Sequence, residues 1–184
     1  MRMPVLLARL MGTRDDSAHL LYGALVAQAR LPVFYSDLDV PDTPTGRYDM
    51  IILHAFLLFE RLRNSAEERE FAQRVFDAMF ADLDQSLREM GVGDMSVPKR
   101  IKRMAQAFYG RVAAYDEACK ADSAPMMEDA IARNIFPDEP KAAHAGDLAR
   151  YAFAVRARLA NFGFGEIKRA NLTFPEPVVD GMER

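Results

Sequence analysis

With one cysteine, Cys119, the 184-residue chain can form no intrachain disulfide, and lack of a disulfide framework fits a reducing compartment. Histidine is nearly as scarce: His19, His54 and His144 are the three. None follows a glutamate by three residues, and no His-x-x-x-His or Cys-x-x-Cys pair occurs. That excludes the Glu-x-x-His sets of di-iron bundles and the common zinc motifs, so no metal or cofactor is expected. Long apolar runs are missing too. The longest, Met50 to Phe59, has ten residues and contains His54, where a membrane-spanning helix needs ~20. The opening MRMPVLLARLM has two arginines around a short apolar patch, but Pro4 interrupts it and Asp15 and Asp16 close it. With no small-residue cleavage site following, it reads as an arm rather than a signal peptide, and the expected location is cytoplasmic. Charge of one sign is lacking as well. A net charge of −3 is too mild for DNA or membrane binding by bulk charge, so any electrostatic site must be local.

Half of the residues are hydrophobic and 28% are charged, the opposite of a disordered composition. Helical signals dominate and strand signals are nearly absent. The expectation is an all-α, single-domain bundle of about six helices over residues 1–184, with a core spanning about 17–162 and an extended tail over 163–184. A first helix runs from Asp16 or Ser17 to about Arg30, with Leu20, Leu21, Ala24, Leu25 and Gln28 at buried spacing; Pro32 ends it. Val33 to Thr43 reads as an acidic loop with Phe34 and Tyr35 at its start. A second helix from Pro44 to about Asn64 is apolar on every side in its middle, which places it at the centre of the bundle.

Ser65 and Glu68 then spell a capping box for a third helix striped by Phe71, Val75, Phe76, Met79, Phe80, Leu83 and Leu87. Gly91 suits the position just past its end. Ser96 should cap a fourth helix whose inner face is Ile101, Met104, Ala105, Phe108, Val112 and Tyr115. Ser123 caps a short fifth helix reaching Asn134. A sixth, about Ala143 to Asn161, points Leu148, Tyr151, Ala152, Val155 and Leu159 inward, until Gly163 and Gly165 break it.

No catalytic constellation emerges. His54 inside the central run could relay a proton or touch a ligand, but such roles need partners that the sequence does not offer. It is read as buried and hydrogen-bonded to a carbonyl or carboxylate, and Cys119 as a buried, inert thiol. Asp37, Asp39 and Asp42 lack the glycine and distal glutamate of a calcium loop, so Asp42 or Thr43 is read as a helix cap. The sharpest charge feature is Lys99, Arg100, Lys102 and Arg103, with Arg111 further along, making the fourth helix basic on its outer side. It could dock on RNA or an acidic partner. Alternatively it is a solvated face paired with third-helix acids such as Asp82 and Glu89; no interleaved aromatics suggest base stacking. Among eleven methionines, Met95 and the Met126–Met127 pair lie off the stripes and suit a surface that accepts varied apolar clients.

Two long blocks carry a resemblance. LYGALVAQARLPVFYSDLDVPDTPTGRYDMIILH, Leu21 to His54, and LREMGVGDMSVPKRIKRMAQAFYGRVAAYDEA, Leu87 to Ala118, resemble in order the ubiquinol–cytochrome c chaperone family, closest to its short alphaproteobacterial members. The resemblance implies a non-enzymatic assembly factor for respiratory complex III that binds newly made cytochrome b, peripheral to the inner membrane. A small partner protein and the ribosome are implied as further contacts. A soluble helical surface with an apolar groove can hold one hydrophobic segment of such a client. The expected client surface joins the first loop to the start of the fourth helix: Leu31, Val33, Phe34, Tyr35, Tyr48, Met95, Val97, Phe108 and Tyr109. The basic docking face would be Lys99, Arg100, Lys102, Arg103 and Arg111. The rival expectation is a peripheral lipid- or quinone-binding protein, which would need a closed cavity.

Overall fold

Pro44 opens the helix around which everything else packs. α3 (Pro44–Arg61) is capped by Thr43, whose Oγ1 accepts the Gly46 N–H at 3.1 Å; the neighbouring Asp42 instead pairs with Arg47 at 2.6 Å. Gly46 is required here, since a Cβ at this position would lie 2.0 Å from the Pro41 carbonyl oxygen. Every residue from Tyr48 to Leu58 is buried, as an all-round apolar helix requires.

In this computed structural model residues 16–138 and 143–178 are described. They contain eight helical segments and no strand. Besides α3 these are α1 (Ser17–Ala29), α2 (Val33–Ser36), α4 (Ala66–Glu89), α5 (Val97–Lys120), α6 (Ala124–Ile135), α7 (Ala145–Leu159) and α8 (Phe164–Lys168). The predicted third to sixth helices are thus α4 to α7. α1, α5 and α7 line α3, α4 lies against α1 and α5, and α6 bridges α5 and α7. One continuous apolar core takes residues from all eight. Leu87 at the end of α4 and Val97 at the start of α5 are buried too.

Several expectations need correction. Val33 to Thr43 is not all loop, because Pro32 opens the one-turn α2. Leu20 points outward, 59% exposed, while Tyr22 takes the inner position and donates its hydroxyl to Asp82 at 2.8 Å. The capping box is half formed. Ser65 Oγ accepts the Glu68 N–H, but the Glu68 carboxylate turns to Arg61 at 2.9 Å, and Arg61 donates onward to the Phe162 carbonyl. Ser96 stands at the N-cap position of α5 without a side-chain cap bond; its backbone is already near-helical, whereas a cap works from extended geometry.

Within the tail, α8 sends the fully buried Ile167 into the core. The irregular stretch after it crosses back over the bundle, Thr173 held by the Arg158 guanidinium and Phe174 standing edge-on to His54 at 6.0 Å. Residues 179–184 of the tail, and the N-terminal arm, lie outside the described residues.

Candidate functional site

The nine residues expected to form one client surface separate into two groups on different sides of α3. Phe34 is fully buried, with edge contacts to His54 at 5.6 Å and Tyr151 at 5.1 Å. Val33 and Tyr35 are half-buried, and the Tyr35 hydroxyl donates to the Ala29 carbonyl at 2.7 Å. Leu31 remains exposed beside them. On the other side Phe108 is buried against Phe59 of α3. Tyr48 is buried and donates its hydroxyl to the Met104 carbonyl, and Val97 is fully buried. Phe34, Tyr48, Val97 and Phe108 are therefore core, and the two groups do not build one groove.

What stays open is on the α4–α5 hairpin. Tyr109 is 61% exposed and packs on Phe108 with ring centres 5.6 Å apart. Beside it stand Phe76 and Phe80 of α4, half-buried, 4.6 Å from each other and 5.3 and 6.3 Å from Phe108. The spacings are those of mutually packed aromatics, yet the cluster is not roofed. The connecting turn adds Met90 and Met95, 64% and 96% exposed. Sequence reasoning placed Phe76 and Phe80 inside. The α4 stripe carries two apolar residues per turn, at 75/76 and 79/80; Val75 and Met79 are buried, while Phe76 and Phe80 lie at its edge. Of the methionine pair, Met127 is fully buried and Met126 is exposed.

The basic face also divides. Arg111 is no part of an open surface: its Nε lies 2.8 Å from the carboxylate of Asp49, itself buried in α3. Burial pushes the Asp49 carboxyl up to about 6, against the pull of Arg111. Lys99, Arg100, Lys102 and Arg103 are exposed, and no side-chain partner meets any of them among the described residues. The acids proposed to balance them are engaged elsewhere, Asp82 by Tyr22 and Glu89 by Gln85.

His54 is the closed counterpart of these open features. It has no exposed surface. Nδ1 faces the Met50 carbonyl at 2.8 Å and therefore carries the proton, leaving Nε2 to accept from the Tyr151 hydroxyl at 2.8 Å; Gln28 in turn donates to Tyr151 at 2.9 Å. Burial lowers its pKa to about 4, so the ring is neutral. Cys119 is buried and its thiol is pushed up to about 11, which keeps it protonated and unreactive.

A lipid- or quinone-holding cavity finds no support. Two hollows of about 410 and 400 Å³ occur, both open to solvent and lined largely by charged side chains, such as Glu60, Arg61, Asp122 and Arg156 in one and Arg30, Asp42 and Arg47 in the other. Apolar tails need apolar enclosure. Among the described residues no helix is long and apolar enough to cross a membrane, and no cluster of side chains could hold a metal.

The sequence profile described as Ubiquinol-cytochrome C chaperone matches residues 36–174. The chain is similar to Protein CBP3, mitochondrial, of Saccharomyces cerevisiae, 26% identical over 79% of this chain. It is also similar to ubiquinol-cytochrome-c reductase complex assembly factor 1 of Xenopus laevis, 22% identical over 66% of it. It spans 45% and 62% of the length of those two relatives. The crystal structure of the Cbp3 homolog from Brucella abortus superposes with a TM-score of 0.81 at 37% identity, covering 93% of this chain and 95% of that one. A profile match over most of the chain and a shared fold at this identity carry one conclusion: the chain belongs to the ubiquinol–cytochrome c chaperone family.

Proposed function

We propose that the protein is a non-enzymatic assembly chaperone for ubiquinol–cytochrome c reductase, respiratory complex III, and that it holds an apolar segment of newly made cytochrome b. The observation that carries this is the unroofed aromatic cluster of Phe76, Phe80 and Tyr109 on the α4–α5 hairpin. Tyr35, Phe153, Phe162, Phe164 and Phe174 are half-buried as well, but Tyr109 is the one exposed aromatic among the described residues. Here three rings are packed on a buried fourth and left accessible along one side, which gives an amphipathic or hydrophobic segment a place to lie. The neighbouring Met90 and Met95 are flexible enough to fit clients of varied shape. Family membership supports the client class, since the relatives' names refer to that complex. The family reading also brings a small partner protein, the ribosome and the cytoplasmic side of the inner membrane as further contacts.

The test is photo-crosslinking in cells from three positions, Phe80, Tyr109 and Tyr35, with the captured protein identified by mass. Cytochrome b should be trapped from Phe80 and Tyr109 and not from Tyr35. Capture from Tyr35 alone would move the client surface to the α1–α3 side, and absence of cytochrome b at all three would defeat the chaperone reading.

A further inference from the structure

From Met95 to Tyr115 the chain has no acidic residue and five basic ones. Arg111 is used internally by Asp49. The other four crowd the first two turns of α5, where the helix dipole disfavours positive charge, and among the described residues no carboxylate pairs with them. The acids nearest in the chain are committed: Asp94 and Asp84 both to Arg88, at 2.5 and 2.7 Å, and Glu89 to Gln85. Folding therefore gains nothing from Lys99, Arg100, Lys102 and Arg103, and their surplus stands out in a protein of net charge −3.

The turn that precedes them is firm and apolar at its tip. Gly91, at φ +78°, lets the chain reverse, and the Val92 N–H returns to the Leu87 carbonyl at 3.0 Å. Leu87 and Val97, on the two helices that it joins, are buried. On this base Met90 and Met95 project into solvent. Apolar side chains at the tip with cations just behind them form the pattern of an element that dips into a bilayer while lysine and arginine meet the headgroups.

We infer that the α4–α5 hairpin end, Met90 to Arg103, docks the protein on a membrane surface rich in anionic lipid, Met95 entering the headgroup region and the four cations binding lipid phosphates. RNA shares the phosphate chemistry, but residues 90–103 hold no aromatic on which a base could stack, and RNA would leave the methionines uncovered. The inference rests on the membrane contact proposed above, to which it gives a surface and a lipid chemistry, and it is tested separately from the client reading.

The experiment is co-sedimentation of the full chain with vesicles of phosphatidylcholine alone, or made half of phosphatidylglycerol. Binding is expected to the anionic vesicles only and to weaken as salt is raised, since screening shortens electrostatic reach. The double variant Lys99→Gln, Arg103→Gln should lower the partition about thirtyfold, about fivefold for each residue at ~1 kcal/mol, with an unchanged melting curve. The protein has no tryptophan, so Met95→Trp supplies a reporter. Its emission should shift to the blue on anionic vesicles, while a Leu20→Trp control on α1 should not shift. Equal binding to neutral vesicles, or partition unaffected by the double variant, would overturn the inference. So would retention of a polyuridine strand by the parent protein with no vesicle binding at all. Cytochrome b capture from Tyr109 is read independently, so failure here leaves the chaperone proposal intact.

Discussion

His54, in the middle of α3, has both ring nitrogens hydrogen-bonded and no exposed surface, whereas Tyr109, in the middle of α5, leaves 61% of its surface exposed beside two half-open phenylalanines. The same contrast holds for charge. Arg111 is locked to the buried Asp49, while four cations about two to three turns earlier on the same helix face water unpaired. α3 spends its polar groups on closing the bundle, and the hairpin leaves its groups free for something outside it. The difference separates residues that the fold uses from residues of the same chemical type that it leaves open, which composition alone cannot do.

The strongest way to break the comparison is at the buried ion pair. Arg111→Met should destabilise the fold by about 3–5 kcal/mol, because the Asp49 carboxylate would be left buried and alone. Urea unfolding measures it, and adding Asp49→Leu should recover much of the loss. A change below ~1 kcal/mol would return Arg111 to the open basic face. Aromatics of the hairpin offer a second contrast. Phe108→Ala should cost about 3–5 kcal/mol as a buried large-to-small change, whereas Phe80→Ala should cost clearly less and yet abolish cytochrome b capture from Tyr109. Equal stability losses with capture retained would make the cluster plain packing.

His54→Gln comes next, at about 1–3 kcal/mol near neutral pH, since glutamine cannot satisfy both the Met50 carbonyl and the Tyr151 hydroxyl in the same geometry. The pH dependence sharpens this. The native ring resists protonation down to about pH 4, against an ordinary 6.5, so stability falls as pH drops through that window. Asp49 acts with the opposite sign. Its native carboxyl takes a proton near pH 6 and the unfolded one only near 3.8, so a drop in pH adds stability there. The variant loses the first effect and keeps the second. It should regain ground on the parent protein between pH 6.5 and 4, and parallel denaturation midpoints across that range would refute the assignment. The smallest effect belongs to the free cations. Reversing Lys99 and Arg103 to glutamate should change stability by only ~0–1 kcal/mol, and a larger loss in thermal melting would mean that they are structural after all.

Much of the inner region was legible in the sequence. The apolar run with a proline start gave α3, and Thr43 and Ser123 cap where their side chains lead one to expect. The satisfied His54 followed from its neighbours' chemistry. What stayed hidden depends on which helix stands opposite. α1 is apolar on too many sides for spacing to choose between Leu20 and Tyr22, and the choice falls to Tyr22 because its hydroxyl reaches Asp82. Arg111 looked like a continuation of the basic cluster until α3 brought Asp49 to it. Phe76 and Phe80 looked buried because periodicity reports an apolar face without saying whether anything covers it. Val97 and Phe108 reversed the error: both were offered to a client, Phe108 although it also stood in the inner stripe, and both are buried.

The hydrogen-bonded chain at His54 joins residue 54 to residues 28 and 151, and Phe174 closes over it. These contacts span most of the chain, so they form late, after long loops have closed. During synthesis α1 to α6 emerge first, with the side of α3 around His54 still lacking α7 and the returning tail. Only a finished chain can bury it. The protein thus begins its own life with the problem it is proposed to solve for its client, an apolar helix exposed to water before its neighbours arrive.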